Sequence, residues 1–186
     1  MTARPAARRS APARAGRPAS VAALQAALAA ENSAVYGYGV AGAHLAGARR
    51  ADAVRNWVAH QNARDALTAM LAARGAQPVA AAAAYELPFD VHSATAAVAL
   101  ATLLEDRLSA AYLGLVGLSD PVLRALGARA VRTAALRAAA WRGSTLAFPG
   151  LDVPAPRQAG PPTAGRGTAA PVSPTPGSPT ASHPGG

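Results

Sequence analysis

Three side chains in this sequence could do chemistry together: Glu31, His60 and Glu105. Two carboxylates and one imidazole suit iron, manganese or zinc, and could make an open site for one ion, although a two-metal centre would be short of ligands. The same groups could instead form a buried ionic network with Arg64, one helical turn after His60, and with Arg137. A guanidinium bridges two carboxylates through its fixed fork of donors and so satisfies buried charge without metal. An inward-facing Arg137 would also repel a metal ion. The network, with no cofactor, is therefore the expected arrangement; Glu31, His60 and Glu105 as ligands to iron or manganese are the alternative. Tyr38, Trp57 and Tyr112 are candidates to line a small pocket beside these groups, although core tyrosines more often just satisfy one hydroxyl hydrogen bond.

The elements that must position these residues are helices. Leu24, Leu28, Val35 and Leu45 follow one 4,3,4,3 spacing, with Glu31, Tyr38 and Gly42 in the same register. That spacing marks a buried seam in a helical bundle. A carboxylate on it is costly unless a cation, a donor network or a metal compensates it. The spacing predicts a first helix over residues 20–46, with Ser20 as N-cap and Gly47 as the stop. Gly37, Gly39 and Gly42 each weaken it, by roughly 1 kcal/mol relative to Ala at exposed positions, for which close approach of a neighbouring helix would compensate. A second helix is expected over 52–74, capped by Asp52 and ended by Gly75, with His60 in register with Trp57, Arg64, Leu67 and Leu71. A third, over 93–118, carries Glu105 on a seam with Val98, Ala101, Leu108, Tyr112 and Leu115. A fourth, over 121–142, starts on Pro121, stops at Gly143 and has Leu123, Leu126, Ala130, Arg137 and Trp141 as its seam.

The links between helices are unequal. The first pair and the last pair are joined by short turns, whereas residues 75–92 form a long connection containing Pro78 and Pro88. A helix of this size is roughly 35 Å long and the link can extend to some 55 Å, so it can return along the whole bundle. One long crossover between the second and third helices is ferritin-like connectivity. In the di-iron members of that class, two helices each supply a Glu and the other two each a Glu-x-x-His pair. Here Trp57 stands where the carboxylate partner of His60 would be, and residues 121–151 contain no Glu or His.

Several segments together resemble a bacterial ferritin-like domain family of unknown function. They are residues 28–39 (LAAENSAVYGYG), 60–65 (HQNARD), 78–88 with Pro78-Val79 and Tyr85-Glu86-Leu87-Pro88, 104–107 (LEDR), and Trp141-Arg142-Gly143 with Phe148-Pro149-Gly150. The resemblance covers residues 20–151. It implies an all-α, four-helix ferritin-like fold and no established activity. Trp57 and the fourth helix depart from the di-iron pattern, so it also implies a degenerate di-iron site.

Composition sets the remaining bounds. The 186 residues carry a formal net charge of +9, all of the cationic side chains being Arg. Five of these arginines lie in residues 1–19 among Ala, Pro, Ser and Gly; eleven lie in 20–151 against eight acids, so that part is only mildly basic. Residues 1–19 and the Pro-, Gly-, Ser- and Thr-rich stretch 152–186 are expected to be disordered tails. The absence of cysteine excludes disulfides and thiolate chemistry. Ser144 follows a glycine outside the expected core, and Gly37-Tyr38-Gly39 lies inside a helix, so neither nucleophilic catalysis nor a phosphate loop is expected. No run reaches the roughly 18–20 apolar residues of a membrane span, and no apolar leader is evident, so no membrane partner and a cytoplasmic location are expected. The first 19 residues could give weak, salt-sensitive, non-specific binding to DNA, but lack lysine and interleaved aromatics. Small residues on the helix faces leave room for a homodimer. The expected function is a non-catalytic binding or structural module; the alternative is a metal-binding oxidoreductase or iron-handling protein.

Overall fold

The structure, a computed structural model, describes residues 11–151, with side chains from Arg17 onward. They form four helices, α1 (Ala11–Ala43), α2 (Gly47–Ala72), α3 (Ala94–Val116) and α4 (Pro121–Arg142), and no strand among the described residues. α1 packs against α2 and α3, and α3 packs against α4. No described helix is long and apolar enough to cross a membrane.

α1 starts nine residues before Ser20, so residues 11–19 are helical where disorder was expected. Alanine favours the helix, and Pro18 removes only one intrahelical donor. Arg17 Nη2 also donates to the Arg74 carbonyl at 2.8 Å, placing a cation just beyond the carboxyl end of α2, where the helix dipole favours it. Residues 1–10 and 152–186, the rest of the two expected tails, lie outside the described residues. α2 starts earlier than expected, at Gly47, whose φ of +54° makes the turn after α1. Asp52 is therefore not its cap; it lies inside α2 and pairs with Arg55. Ser93 accepts from the Ala96 amide and caps α3, Asp120 accepts from the Val122 and Leu123 amides and caps α4, and Pro121 occupies the first turn of α4, as expected.

The seam is buried at Leu24, Leu28, Glu31 and Tyr38 of α1 and at Leu45, which lies just past the end of α1 at Ala43 rather than inside the helix as expected, and a second buried row, Ala27, Ala34 and Ala41, lies beside it. Two buried rows are what a helix with neighbours on two sides requires. Close approach is realised at Gly37, where an added Cβ would lie 2.6 Å from Leu104 Cδ1, but not at Gly39, which has nothing within 4 Å. The link between α2 and α3 follows α1. Gln25 holds its start through the Gln77 carbonyl (2.6 Å) and the Val79 amide (2.8 Å). Tyr36 then packs on Tyr85, and His44 meets His92 edge-on just before α3 begins. α3 thus starts beside the end of α1 and runs back along it, bringing the middle of each helix to the middle of the other.

Candidate functional site

At that level the two antiparallel helices place Glu31 and Glu105 on either side of His60 from α2. All three are buried, with Glu105 at 0% and the other two at 2% exposure. His60 Nδ1 lies 2.8 Å from Glu31 Oε2 and its Nε2 lies 3.1 Å from Glu105 Oε1. Only the imidazolium donates through both nitrogens, so this geometry selects the charged ring. Burial alone opposes that charge, but the hydrogen bonds to Glu105 and Glu31 and the charge of both outweigh it and raise the His60 pKa.

Each carboxylate also receives a phenol. The Tyr112 hydroxyl donates to Glu31 Oε1 at 2.6 Å, and the Tyr38 hydroxyl donates to Glu105 Oε1 at 2.7 Å. Burial, followed by the charge of the carboxylate each one faces, pushes both phenols well above their ordinary range. Tyr38 is a junction: its oxygen accepts from Trp141 Nε1 of α4 (2.8 Å) and from Asn56 Nδ2 of α2 (3.3 Å), and its ring stacks on His60 with centroids 5.0 Å apart. The guanidinium of Arg49 sits over the Trp141 ring, 5.3 Å from its centroid. A continuous chain of hydrogen bonds therefore runs from Tyr112 through Glu31, His60, Glu105 and Tyr38 to Trp141, using all four helices. Glu105 Oε2 and the Ser109 hydroxyl, one turn apart on α3, are buried without a hydrogen-bond partner.

Of the residues singled out by spacing, Glu31, His60, Glu105, Tyr38 and Tyr112 are brought together. Arg64 is not. It pairs with Asp65 through Nε (2.9 Å) and Nη2 (2.8 Å), its side chain is one-third exposed, and it does not bridge the carboxylates. The adjacent carboxylate captures it at the helix edge. Trp57 is 36% exposed, because the buried positions of α2 are Ala53, His60, Leu67 and Leu71, which place Asn56 inward and Trp57 beside it. Arg137 lies closer to the expectation: it lines the same cavity as Glu31 and acts electrostatically on Tyr112, yet makes no ion pair with either carboxylate. Asn56 and Trp141 were not placed in the network by sequence reasoning. The signal for Asn56 is its place four residues before His60, and for Trp141 its place on the α4 seam next to Arg137.

Beside the network lies a cavity of about 250 Å³, with Glu31, His60, Glu105 and Tyr112 on one side and Arg129, Thr133 and Arg137 of α4 on the other. Tyr38 and Trp57 line a separate cavity of about 290 Å³ with Arg50 and Val54. The donor set fits a metal poorly. Both His60 nitrogens face carboxylate oxygens, so neither offers a lone pair while the network holds. Among the described residues no group of three His, Cys, Asp or Glu side chains is disposed to hold a metal ion.

The network gives a pH dependence of definite sign. The raised pKa of His60 means that its contribution is complete below the unfolded value of about 6.5 and is lost as pH rises through the folded value. The two raised phenols hold protons that an unfolded chain releases above about pH 10, so they too lower stability with rising pH. Denaturant midpoints are expected to fall from about pH 6.5 upward and more steeply above about pH 10, with the first limb absent in His60→Ala. A wild-type midpoint that rises between these values would contradict a charged His60.

A four-helix, all-α domain with a Glu–His–Glu set and tyrosine donors in its core defines the class of this protein. Its family is the domain of unknown function DUF4439, to which the chain belongs by a match over residues 23–153. It is also similar to the crystal structure of a conserved hypothetical protein from Mycobacterium tuberculosis, with 32% identity and a TM-score of 0.65, over 68% of this chain and 96% of that one. No curated protein matches the sequence.

Proposed function

We propose that this domain is a ferritin-like bundle in which a buried Glu31–His60–Glu105 network stands in place of a di-iron centre, and that it serves as a non-catalytic binding or structural module. The observation that carries the reading is His60, whose two ring nitrogens each meet a carboxylate oxygen. The long link along α1 and the carboxylates at the middle of antiparallel α1 and α3 support the ferritin-like comparison. The tyrosines serve the carboxylates as hydrogen-bond donors, and Trp141 and Asn56 fix one of them in turn. The reading needs no cofactor, places the protein in the cytoplasm and leaves the helix faces available for a homodimer; any nucleic-acid contact would fall to residues 1–19.

The test is metal content by elemental mass spectrometry, with and without prior incubation in ferrous iron or manganese, together with ¹⁵N spectra of the His60 ring. The expected result is metal far below one per chain and two protonated ring nitrogens at neutral pH. Near-stoichiometric metal that is lost in Glu31→Gln would overturn the reading in favour of a metal-binding oxidoreductase or iron-handling protein. One observation favours that second reading: Glu105 Oε2 is buried without a partner and is the one carboxylate oxygen of the set left over for a ligand.

A further inference from the structure

We propose that the cavity between the network and α4 binds a small monocarboxylate with a compact apolar body, a ligand class that rests on the metal-free reading above. The two guanidiniums that line the cavity are unpartnered among the described residues. The imidazolium and two carboxylates leave one negative charge on one side, and on the other stand the half-buried Arg137 and, exposed to solvent, Arg129. Neither guanidinium has an ion pair or hydrogen bond among the described residues, and α4 contains no acid that could serve them. A monoanion at this wall would supply the counter-ion that both guanidiniums lack.

Geometry orients it. Arg129, Thr133 and Arg137 recur every four residues along one face of α4 and form the wall opposite the network. Glu31 on the facing side repels an anion, so the carboxylate belongs at the arginine wall. Leu108, Leu126, Ala130 and Ala134 supply apolar surface for the rest of the molecule. A volume of about 250 Å³ lies just below the range of drug-sized sites, which limits the ligand to a small acid.

Benzoate is the probe. The full chain is titrated with sodium benzoate at constant ionic strength and followed by ¹H–¹⁵N spectra that include the arginine Nε–H groups. Benzamide serves as the uncharged match in shape. Saturable shifts at Arg137 Nε and the Thr133 amide are expected, with a dissociation constant of about 1 mM or tighter. Benzamide and the Arg137→Gln variant should each bind about tenfold more weakly, as loss of one charge-assisted contact implies. Arg132→Gln, on the other side of α4, should leave binding unchanged. Shifts that do not saturate, or that are equal for benzamide or for Arg137→Gln, would overturn the proposal. The His60 ring signals in the same spectra separate the two failures. If both N–H signals persist without benzoate binding, the ligand class alone is wrong; if manganese abolishes them stoichiometrically, the network reading falls and this site with it.

Discussion

Replacing His60 with alanine is expected to lower the stability of the domain by about 3–5 kcal/mol, the cost of breaking a buried ion pair by deleting one partner. For a domain of this size that is a fall in melting temperature of roughly 10–20 °C. Glu31 and Glu105 would remain buried at 2% and 0% exposure, each keeping one tyrosine donor and losing its charged one. Among the described residues no other cation lies within ion-pair distance of either carboxylate. The penalty should be relieved, not compounded, by neutralising a second member. His60→Ala with Glu31→Gln is expected to melt above His60→Ala alone, because an amide can still accept from Tyr112 while carrying no charge. A melting temperature for His60→Ala within about 2 °C of wild type would mean that the imidazole contributes nothing to the folded state.

Gly127→Ala is expected to be the most damaging of the glycine substitutions inside the helices. A Cβ there would lie 2.8 Å from Leu115 Cβ, 2.9 Å from the Tyr112 carbonyl oxygen and 3.0 Å from the Val116 amide nitrogen. Two of those three atoms are backbone, so α4 itself must move away from α3, at a cost of about 2–3 kcal/mol even after the gain in helix propensity. The displacement falls where Tyr112 is held against Glu31, so the network should loosen with it. Gly39→Ala is the matched control: nothing lies within 4 Å of its Cβ, and it should gain about 0.5–1 kcal/mol. Thermal melts of the two variants decide the matter. Equal gains in both would show that α3 and α4 do not meet this closely.

The helix count and the central residues were legible because register survives in the sequence. Leu24 and Leu28 fix the inward face of α1, and Glu31 and Tyr38 share it; Glu105 and Tyr112 follow the same logic on α3. What was illegible turns on choices that spacing does not record. On α2 an alanine, Ala53, leads the buried row, so bulky apolar residues did not reveal that Asn56 faces inward and Trp57 outward. Arg64 lies near the seam, but a neighbour of opposite charge at Asp65 competes for it, and competition between partners has no periodicity. The early start of α1 depended on the Arg74 carbonyl, a contact across 57 residues of sequence. Trp141 was read as packing alone, because a bond from its indole to Tyr38 requires knowing how α4 is rotated.

The core is built largely of small, nearly interchangeable residues: Ala27, Ala34 and Ala41 on α1, Ala53 on α2, Ala97 and Ala101 on α3, Ala134 and Ala138 on α4. Such surfaces slide easily, since a shift of one helical turn on α3 or α4, about 5.4 Å, or of about two turns on α1, presents another alanine to almost the same neighbour. Apolar packing alone would leave several alignments close in energy. The chain from Tyr112 to Trp141 closes in only one of them, because its members, two on α1, two on α3 and one each on α2 and α4, must all come level at once. A buried array that contributes little net stability can thus act as a lock on alignment, selecting one bundle from a set that the alanines would otherwise tolerate.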